Sequence, residues 1–353
     1  MIAQKRLRRF AMPPKSSRLL SEGMRCAAGV SNMREKEAAA WTISTSLDAT
    51  VRRMPRRNYA KSNYPLYFTF AALAFYVVFV VGPSIVGLFY SFTDWTQYTL
   101  GAPAWNGLDN FKRIFNMSSL QASQYWISAV NTVFFAFYST VLKTGIGFLL
   151  ALALSEKTPG KMVHRTILFI PSILSMLIIG ILFKSILHPS TGILNRFLGA
   201  IGLQSLQMQW LADFNIALPT VIAVDCWRGI GYIMVILLAG LTTIPSDYYE
   251  AANLDGASYW QKVRFVTVPL MMRTIGITLV LNLIYGLRVF EVIYVLTNGG
   301  PVDATSSLYT KVYWAIGQGE YGVSTALSSM LFVLMVAVGY FTVKWMTRGE
   351  AES

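Results

Sequence analysis

The sequence has few of the residues that build disulfides, metal sites and active sites. It contains two cysteines, Cys26 and Cys226, and two histidines, His164 and His188, among 353 residues. The cysteines lie two hundred positions apart, so neither a disulfide framework nor a zinc spacing can be formed from them. Neither histidine has a set of carboxylates or cysteines around it. We therefore expect no metal site and no catalytic site, which favours a protein that is not an enzyme.

Charge is also scarce, and it is unevenly distributed. Charged residues make up 13% of the chain, hydrophobic residues 54%, and the mean hydropathy is +0.47. Soluble domains carry about 25% charged residues. The net charge of +13 is concentrated, because fourteen of the thirty Lys and Arg precede residue 65. A charge confined to a tail does not indicate a basic binding face, so we expect no nucleic-acid partner.

The first 64 residues are polar and basic, without the apolar stretch of a secretory signal. We interpret residues 1–64 as a disordered cytoplasmic tail attracted to anionic lipid headgroups. Met54 is followed by its own basic cluster, so translation from Met54 in place of Met1 is an open alternative.

Long apolar segments dominate the rest of the chain. A helix needs about 20 apolar residues to cross a bilayer, and six segments are long enough. These segments are 66–92, 127–154, 163–187, 216–241, 270–296 and 323–346. They are continuous and do not alternate as barrel strands do. The sequence predicts an all-α, polytopic membrane domain over residues 65–348, with a short cytoplasmic tail at 349–353.

The basic residues predict the orientation of these spans. Lys and Arg collect in the short loops on the cytoplasmic side of a membrane. One set of loops and termini carries 22 of them, and the opposite set carries four, namely Lys112, Arg113, Arg196 and Lys311. Without the tail the ratio is eight to four. We expect both termini, the 155–165 loop and the 243–273 loop to be cytoplasmic.

One of these loops, residues 245–269, is polar and rich in small side chains. Asp247 and Glu250 are spaced as a capping box that would begin a short helix ending near Leu254. Gly256 supplies the positive φ that ends such a helix. A second short helix is predicted through Trp260, with Pro269 marking the start of the fifth span. By chemistry alone, this loop is either a docking surface for another protein or a plain interfacial connector.

The loop reads Glu250-Ala251-Ala252, then Gly256, Val266, Val268 and Pro269. This pattern resembles the EAA loop in the membrane subunits of binding-protein-dependent ABC importers. In that family the loop forms a coupling helix in a cleft of the ATP-binding subunit. The resemblance implies that six residues contact an ATPase: Glu250, Ala251, Ala252, Asp255, Gly256 and Ala257. The sequence departs from the family pattern at Val263, where Phe is frequent, and at Arg273, where Pro is frequent.

Flanking segments resemble the sugar-transporting branch, the permeases like those for maltose and glycerol 3-phosphate. The matching segments are "SFTDW" (91–95), "WNGLDNFKRIF" (105–115), "RTILFIP" (165–171), "GILN" (192–195), "AGLTTIPSDYYEAANLDGAS" (239–258) and "FEVIYVLTNGGP" (290–301). The resemblance implies a type I importer fold in a bacterial cytoplasmic membrane. It also implies a second, similar permease, two copies of an ABC ATPase, an extracytoplasmic solute-binding protein and a sugar or sugar derivative as substrate.

The chain has no phosphate-binding loop of its own. Its one Gly-Lys pair, Gly160-Lys161, is followed by Met162, and Ser155 stands where a P-loop has its first glycine. We expect no cofactor in this chain, with ATP bound and hydrolysed by the partner ATPase.

Ionisable groups inside spans are costly in lipid and call for a role. Asp225 with Arg228, and Arg288 with Glu291, are spaced three apart, which places each pair on one helix face. They are interpreted either as structural intrahelical pairs or as part of the substrate pathway. The pathway set is Asp225, Trp227, Arg228, Tyr232, Asn282, Tyr285, Arg288 and Glu291. Lys143 and Lys184 are predicted to extend to the headgroups from helix ends.

Two further alternatives stay open at this stage. The turn Asn298-Gly299-Gly300-Pro301, expected on the outer side, is either a tight turn or a contact for the binding protein. A secondary transporter driven by an ion gradient is a competing function, although neither an internal repeat nor an acidic ion site is visible. An ABC permease for a solute other than a sugar is another.

Overall fold

A computed structural model describes residues 66–99, 101–116, 118–155 and 160–348. The basic tail, Met54, Lys157 and the terminal residues 349–353 lie outside the described residues. By its contacts the chain divides into two units, Met1–Ala74 and Phe75–Ser353. Of the first unit the structure describes only a helical stretch from Leu66 onward. All packing described below lies within the second unit.

The described residues form helices and no named strand, which confirms the all-α prediction. The helices are α1 (Leu66–Tyr76), α2 (Gly82–Tyr90), α3 (Asp109–Phe115), α4 (Leu120–Ser155), α5 (Lys161–Ile173), α6 (Met176–Ile186), α7 (Ile193–Ala200), α8 (Ala217–Leu241), α9 (Ser246–Leu254), α10 (Tyr259–Lys262), α11 (Val268–Leu287), α12 (Glu291–Leu296), α13 (Leu308–Gly317) and α14 (Tyr321–Arg348). A π-helical turn, Val77–Val81, joins α1 to α2, and another, Val263–Thr267, joins α10 to α11.

Among the described residues, five helical segments are long and apolar enough to cross a membrane, or six if a bent pair forms one span. The predicted first, second, fourth and sixth spans each correspond to one of these segments. Helix α4 has 36 residues and is about 54 Å long, well beyond the hydrocarbon core of about 30 Å. It therefore extends past the bilayer, beginning seven residues before the predicted second span.

The third span is broken, contrary to the prediction of one helix over 163–187. Helices α5 and α6 meet at an angle of 96°. The backbone is extended at Leu174 and Ser175, with ψ of 140° and 138°. Hydropathy records how apolar a segment is but not its direction, so the bend was invisible in the composition.

The fifth span also differs from the prediction at both ends. Its helical segment runs from Tyr259 to Leu287, so the second half of the polar loop is continuous with the span. Pro269 lies within this continuous segment, directly after the π-helical turn Val263–Thr267, and does not mark a break before the span. At the other end the helix stops at Leu287 and α12 begins separately at Glu291.

The core of the second unit forms where α4, α8 and α11 pack together. The buried apolar clusters of this core are centred on α8, around Val221 and Ile222 at one end and Met234 and Leu237 at the other. Helices α4 and α11 approach each other closely at Gly286. A Cβ atom there would lie 2.5 Å from the Cα of Ala136. Only a glycine permits that backbone separation.

A glycine-to-alanine pair tests this close approach. Gly286→Ala should destabilise the folded protein by about 1–3 kcal/mol, because the added methyl overpacks the α4–α11 contact. Gly145→Ala, also within a core helix but with no described atom within 4 Å of the added Cβ, should stabilise it by about 0.5–1 kcal/mol. Thermal unfolding of purified variants in detergent measures both. Equal effects of the two substitutions would contradict the close packing.

Candidate coupling loop and polar cluster

The polar loop folds into two short helices set apart by a glycine turn. Helix α9 ends after Leu254, and Gly256 follows with φ of +74°, as predicted. The next helix begins at Ser258, whose backbone N–H donates to Oε1 of Gln261 at 2.7 Å in a capping box. The turn at Gly256 separates α9 from the helix that leads into the fifth span, and α9 is called the stub below.

The predicted capping box at the start of α9 is wrong. Pro245 occupies the N-cap position, and no described side chain caps the helix there. Asp247 consequently lies inside the first turn. Its negative charge interacts favourably with the positive end of the helix dipole, but its side chain does not cap the helix. The helix therefore begins two residues earlier than the predicted cap at Asp247 implied.

Most of the predicted coupling residues lie on an accessible surface. Glu250, Ala251, Asp255 and Gly256 are exposed, whereas Ala252 and Ala257 are half-buried. The most exposed large apolar side chain of the loop is Leu254, at 91%. Sequence reasoning missed Leu254. The available signal was an apolar residue directly before the turn in an otherwise polar stub.

Two side-chain hydrogen bonds attach helix α9 to the segment that follows it. The hydroxyl groups of Tyr249 and Thr267 are hydrogen-bonded at 3.0 Å, which links α9 to the π-helical turn that continues into α11. Nζ of Lys262 on α10 donates to Oδ1 of Asn253 on α9 at 2.8 Å. A cavity of about 200 Å³ separates the loop from the ends of α4 and α8 near Ser155. These two hydrogen bonds tie α9 to the segment that continues into α11.

A buried ionic cluster joins the three core helices. Nζ of Lys143 on α4 lies 2.5 Å from Oδ2 of Asp225 on α8. The hydroxyl of Tyr285 on α11 donates to Oδ1 of Asp225 at 3.0 Å. The lysine ammonium also lies 4.5 Å from the centroid of the Tyr285 ring. These side chains bridge the helices at the centre of the bundle.

The cluster corrects two sequence predictions. Asp225 does not pair with Arg228, three residues along its own helix, but with Lys143 on another helix. Lys143 does not reach the headgroups, because its side chain is 3% exposed and Asp225 is 0% exposed. An isolated charge in that interior would be very costly, so the two partners compensate each other. Lys184, by contrast, is exposed in the last turn of α6.

The second predicted intrahelical pair is also wrong. Arg288 follows the end of α11, and Glu291 begins α12, so three-residue spacing does not place them on one helix face. Both side chains are exposed, and within the described part of the chain neither forms a salt bridge.

The structure divides the remaining residues of the predicted pathway set. Asn282 is buried and donates to Oγ1 of Thr144 at 3.3 Å, so it joins α11 to α4. Trp227 and Tyr232 are exposed on α8 but, five residues apart, lie on different sides of the helix. Trp227 packs edge-on against Phe183 of α6, with ring centroids 5.2 Å apart. Arg228 is partly buried, and its Nε has no hydrogen-bond partner among the described residues. One subset of the predicted set therefore holds the helices together, and another is exposed.

Comparison with known proteins identifies the architecture. Residues 143–349 match the model of the family described as binding-protein-dependent transport system inner membrane component. The chain belongs to this family. The match extends from the buried lysine of α4 through the polar loop to the end of α14.

Individual relatives agree with the family match. The trehalose/maltose transport system permease protein of Thermococcus litoralis is 35% identical over 69% of this chain and 79% of its own length. A multiple sugar-binding transport system permease protein of Streptococcus mutans is 31% identical over 78% of this chain and 93% of its own length. A chain in the crystal structure of a bacterial ABC transporter involved in import of the acidic polysaccharide alginate superposes with a TM-score of 0.69. That chain is 26% identical, with 80% of this chain and 96% of that chain covered. The chain is therefore a multi-pass ABC importer permease, which confirms the fold implied by the resemblance.

A double-mutant cycle tests the buried ion pair. Lys143→Met should destabilise the permease by about 3–5 kcal/mol, because it leaves the carboxylate of Asp225 buried without its cation. Combining it with Asp225→Leu should restore much of that loss, since two apolar side chains need no compensating charge. Chemical unfolding in detergent measures the four proteins of the cycle. Additive losses would contradict a direct pair.

Proposed function

We propose that this chain is one permease subunit of an ATP-driven importer for a sugar or sugar derivative. The observation that carries the proposal is the α9 stub, which presents an exposed Glu250-Ala251 surface and Leu254 while Tyr249 ties it to α11. Closure of a partner ATPase on this stub would move α11 and, through it, the core helices. Support for a sugar as substrate comes from the relatives, two of which are named as sugar permeases.

The exposed leucine favours docking over a plain connector. Burying a leucine side chain contributes about 1.5–3 kcal/mol, and Leu254 gains almost none of this within the chain. Small neighbours such as Ala251 and Gly256 allow a partner's backbone to come close. This surface fits a partner cleft that has one apolar pocket for Leu254 surrounded by polar groups. The partner that fits is an ABC ATPase, two copies of which would serve two permease subunits.

The chain in this proposal transmits work and does not generate it. Nothing in Gly160-Lys161-Met162 forms a phosphate-binding loop, so nucleotide binding and hydrolysis are assigned to the ATPase and no cofactor to this chain. A second homologous permease completes the translocation pathway, and an extracytoplasmic binding protein delivers the solute. The excess of Lys and Arg in one set of loops supports a cytoplasmic location for both termini and α9 in a bacterial membrane.

For the pathway we propose the exposed side chains of α8, with Trp227 and Tyr232 as two separate stacking surfaces for sugar rings. Arg228, which lies between them in the sequence, is partly buried. Arg288 and Glu291 are exposed at the break after α11, where they remain available to a solute. Asp225, Asn282 and Tyr285 bond to protein partners and act by holding α8 and α11 in position.

Substitution of two glycines tests the coupling role. Gly256→Val should reduce substrate-stimulated ATP hydrolysis and uptake about tenfold, because valine resists the φ of +74° that sets the stub's direction. The matched control is Gly107→Val, since Gly107 also has a positive φ, +63°, and open space but lies in the loop before α3. Uptake and ATP hydrolysis are measured in proteoliposomes. Equal losses in both variants would refute a specific coupling role.

Site-specific cross-linking tests the partner. Leu254→Cys, in a background with Cys26→Ser, should react with a photoactivatable label and form an adduct with an ABC ATPase in native membranes. Cys226 is buried and should not react. Val302→Cys, equally exposed but in the loop after α12, should give no such adduct. Mass spectrometry identifies the products. Labelling of Leu254→Cys by an impermeant reagent from outside the cell would overturn the assigned orientation.

A further inference from the structure

A polar cleft lies at the opposite end of α4 from the coupling stub. Its volume is about 460 Å³, within the range of roughly 300–1,000 Å³ of small-molecule sites. The walls are the start of α4, the loop between α12 and α13, and the exposed end of α13. We call it the amide cleft, after the side chains of Gln121, Gln124, Asn298 and Gln318 that line it.

The loop that forms one wall is held rigidly. Nδ2 of Asn131 on α4 donates to the backbone carbonyls of Asp303 and Ala304, both at 3.1 Å, and of Ser306 at 3.2 Å. Val302 has φ of +42°, a conformation that a β-branched residue adopts only when its surroundings impose it. The wall is therefore fixed before any ligand arrives, so binding does not have to order it.

The lining has hydrogen-bonding capacity that the protein does not use. The four side-chain amides donate to and accept from no other described residue. Each amide offers a donor and an acceptor close together, which suits neighbouring hydroxyl groups. Trp314 adds an aromatic ring that is 38% exposed at the cleft. A ring flanked by amides combines stacking with hydroxyl recognition.

The charge of the cleft is balanced internally. Oδ1 of Asp303 accepts hydrogen bonds from Nζ of Lys311 and Oγ of Ser306, both at 2.7 Å. The lysine is therefore already compensated and is not free to pair with a ligand carboxylate. An acidic sugar would bring its charge against the carboxylate of Asp303, whereas an uncharged one would not.

From these observations we propose that the amide cleft is a binding subsite for a neutral saccharide. The inference rests on the proposed function and deepens it, because it selects uncharged sugars over acidic ones. The cleft would hold the solute at the end of the permease remote from α9, before it enters the membrane pathway.

The test uses the transporter purified intact and reconstituted in nanodiscs, without binding protein. An array of neutral oligosaccharides and uronate oligosaccharides supplies the probes. The wild-type complex should bind neutral members, and both Trp314→Ala and Gln318→Ala should bind them about tenfold more weakly. Gln204→Ala, which removes an exposed amide away from the cleft, is the matched control and should bind as the wild type does. ATP hydrolysis without solute should be unchanged in all three.

A charge-changing variant sharpens the test. Gln318→Lys places an uncompensated cation in the cleft and should shift binding toward the uronate members. Absence of neutral-saccharide binding, or binding that survives both Trp314→Ala and Gln318→Lys unchanged, would overturn the proposal. So would a loss confined to docking of the sugar-free binding protein, which would make the cleft a protein contact.

Uptake measured in parallel distinguishes failure of the proposed subsite from failure of the proposed sugar import. If sugar uptake with the binding protein persists while no neutral saccharide binds the nanodiscs, only the subsite is refuted. If neither uptake nor binding of any sugar on the array is found, the proposed sugar import is refuted as well.

Discussion

A lysine and an aspartate that neutralise each other inside an apolar helix bundle are central to this permease. Lys143 and Asp225 come from helices that are distant along the chain, and Tyr285 adds a third helix through the same carboxylate. Removing a single partner leaves a buried charge, so the contact favours one arrangement of α4, α8 and α11. Helix α9 and the exposed aromatic residues of α8 lie on these helices or on segments directly attached to them.

Helix α11 connects the two ends of that arrangement. It begins at the π-helical turn that carries Thr267, which holds the coupling stub through Tyr249. It reaches the buried cluster through Tyr285, and the chain then breaks at Arg288 and leads into the loop of the amide cleft. In the proposed function, a push on the stub acts on a continuous helix whose far end is tied to the other core helices. Such a path through packed elements with few flexible joints is a physical basis for coupling sites at opposite ends of a protein.

Several predictions from sequence were right because their cause is local. The short helix ending at Leu254 and the positive φ of Gly256 follow from residue types within one turn of each other. The exposure of Glu250 and Ala251 follows from a polar segment between two apolar ones. The family resemblance rested on the same contiguous motif, and the match over residues 143–349 confirms it. The cap at Asp247 failed because proline two residues earlier had already begun the helix.

The sequence alone was sufficient for the all-α fold, the polar loop between the fourth and fifth apolar segments, and the importer family, since each depends on neighbouring residues. Tertiary structure decided that Asp225 pairs with Lys143, 82 positions away, and not with Arg228. It also decided that α5 and α6 meet at 96° and that four side-chain amides line the same cleft as Trp314. Composition and periodicity describe how a segment partitions between lipid and water. Which side chains meet depends on the packing of helices against one another, and that is a property of the folded chain.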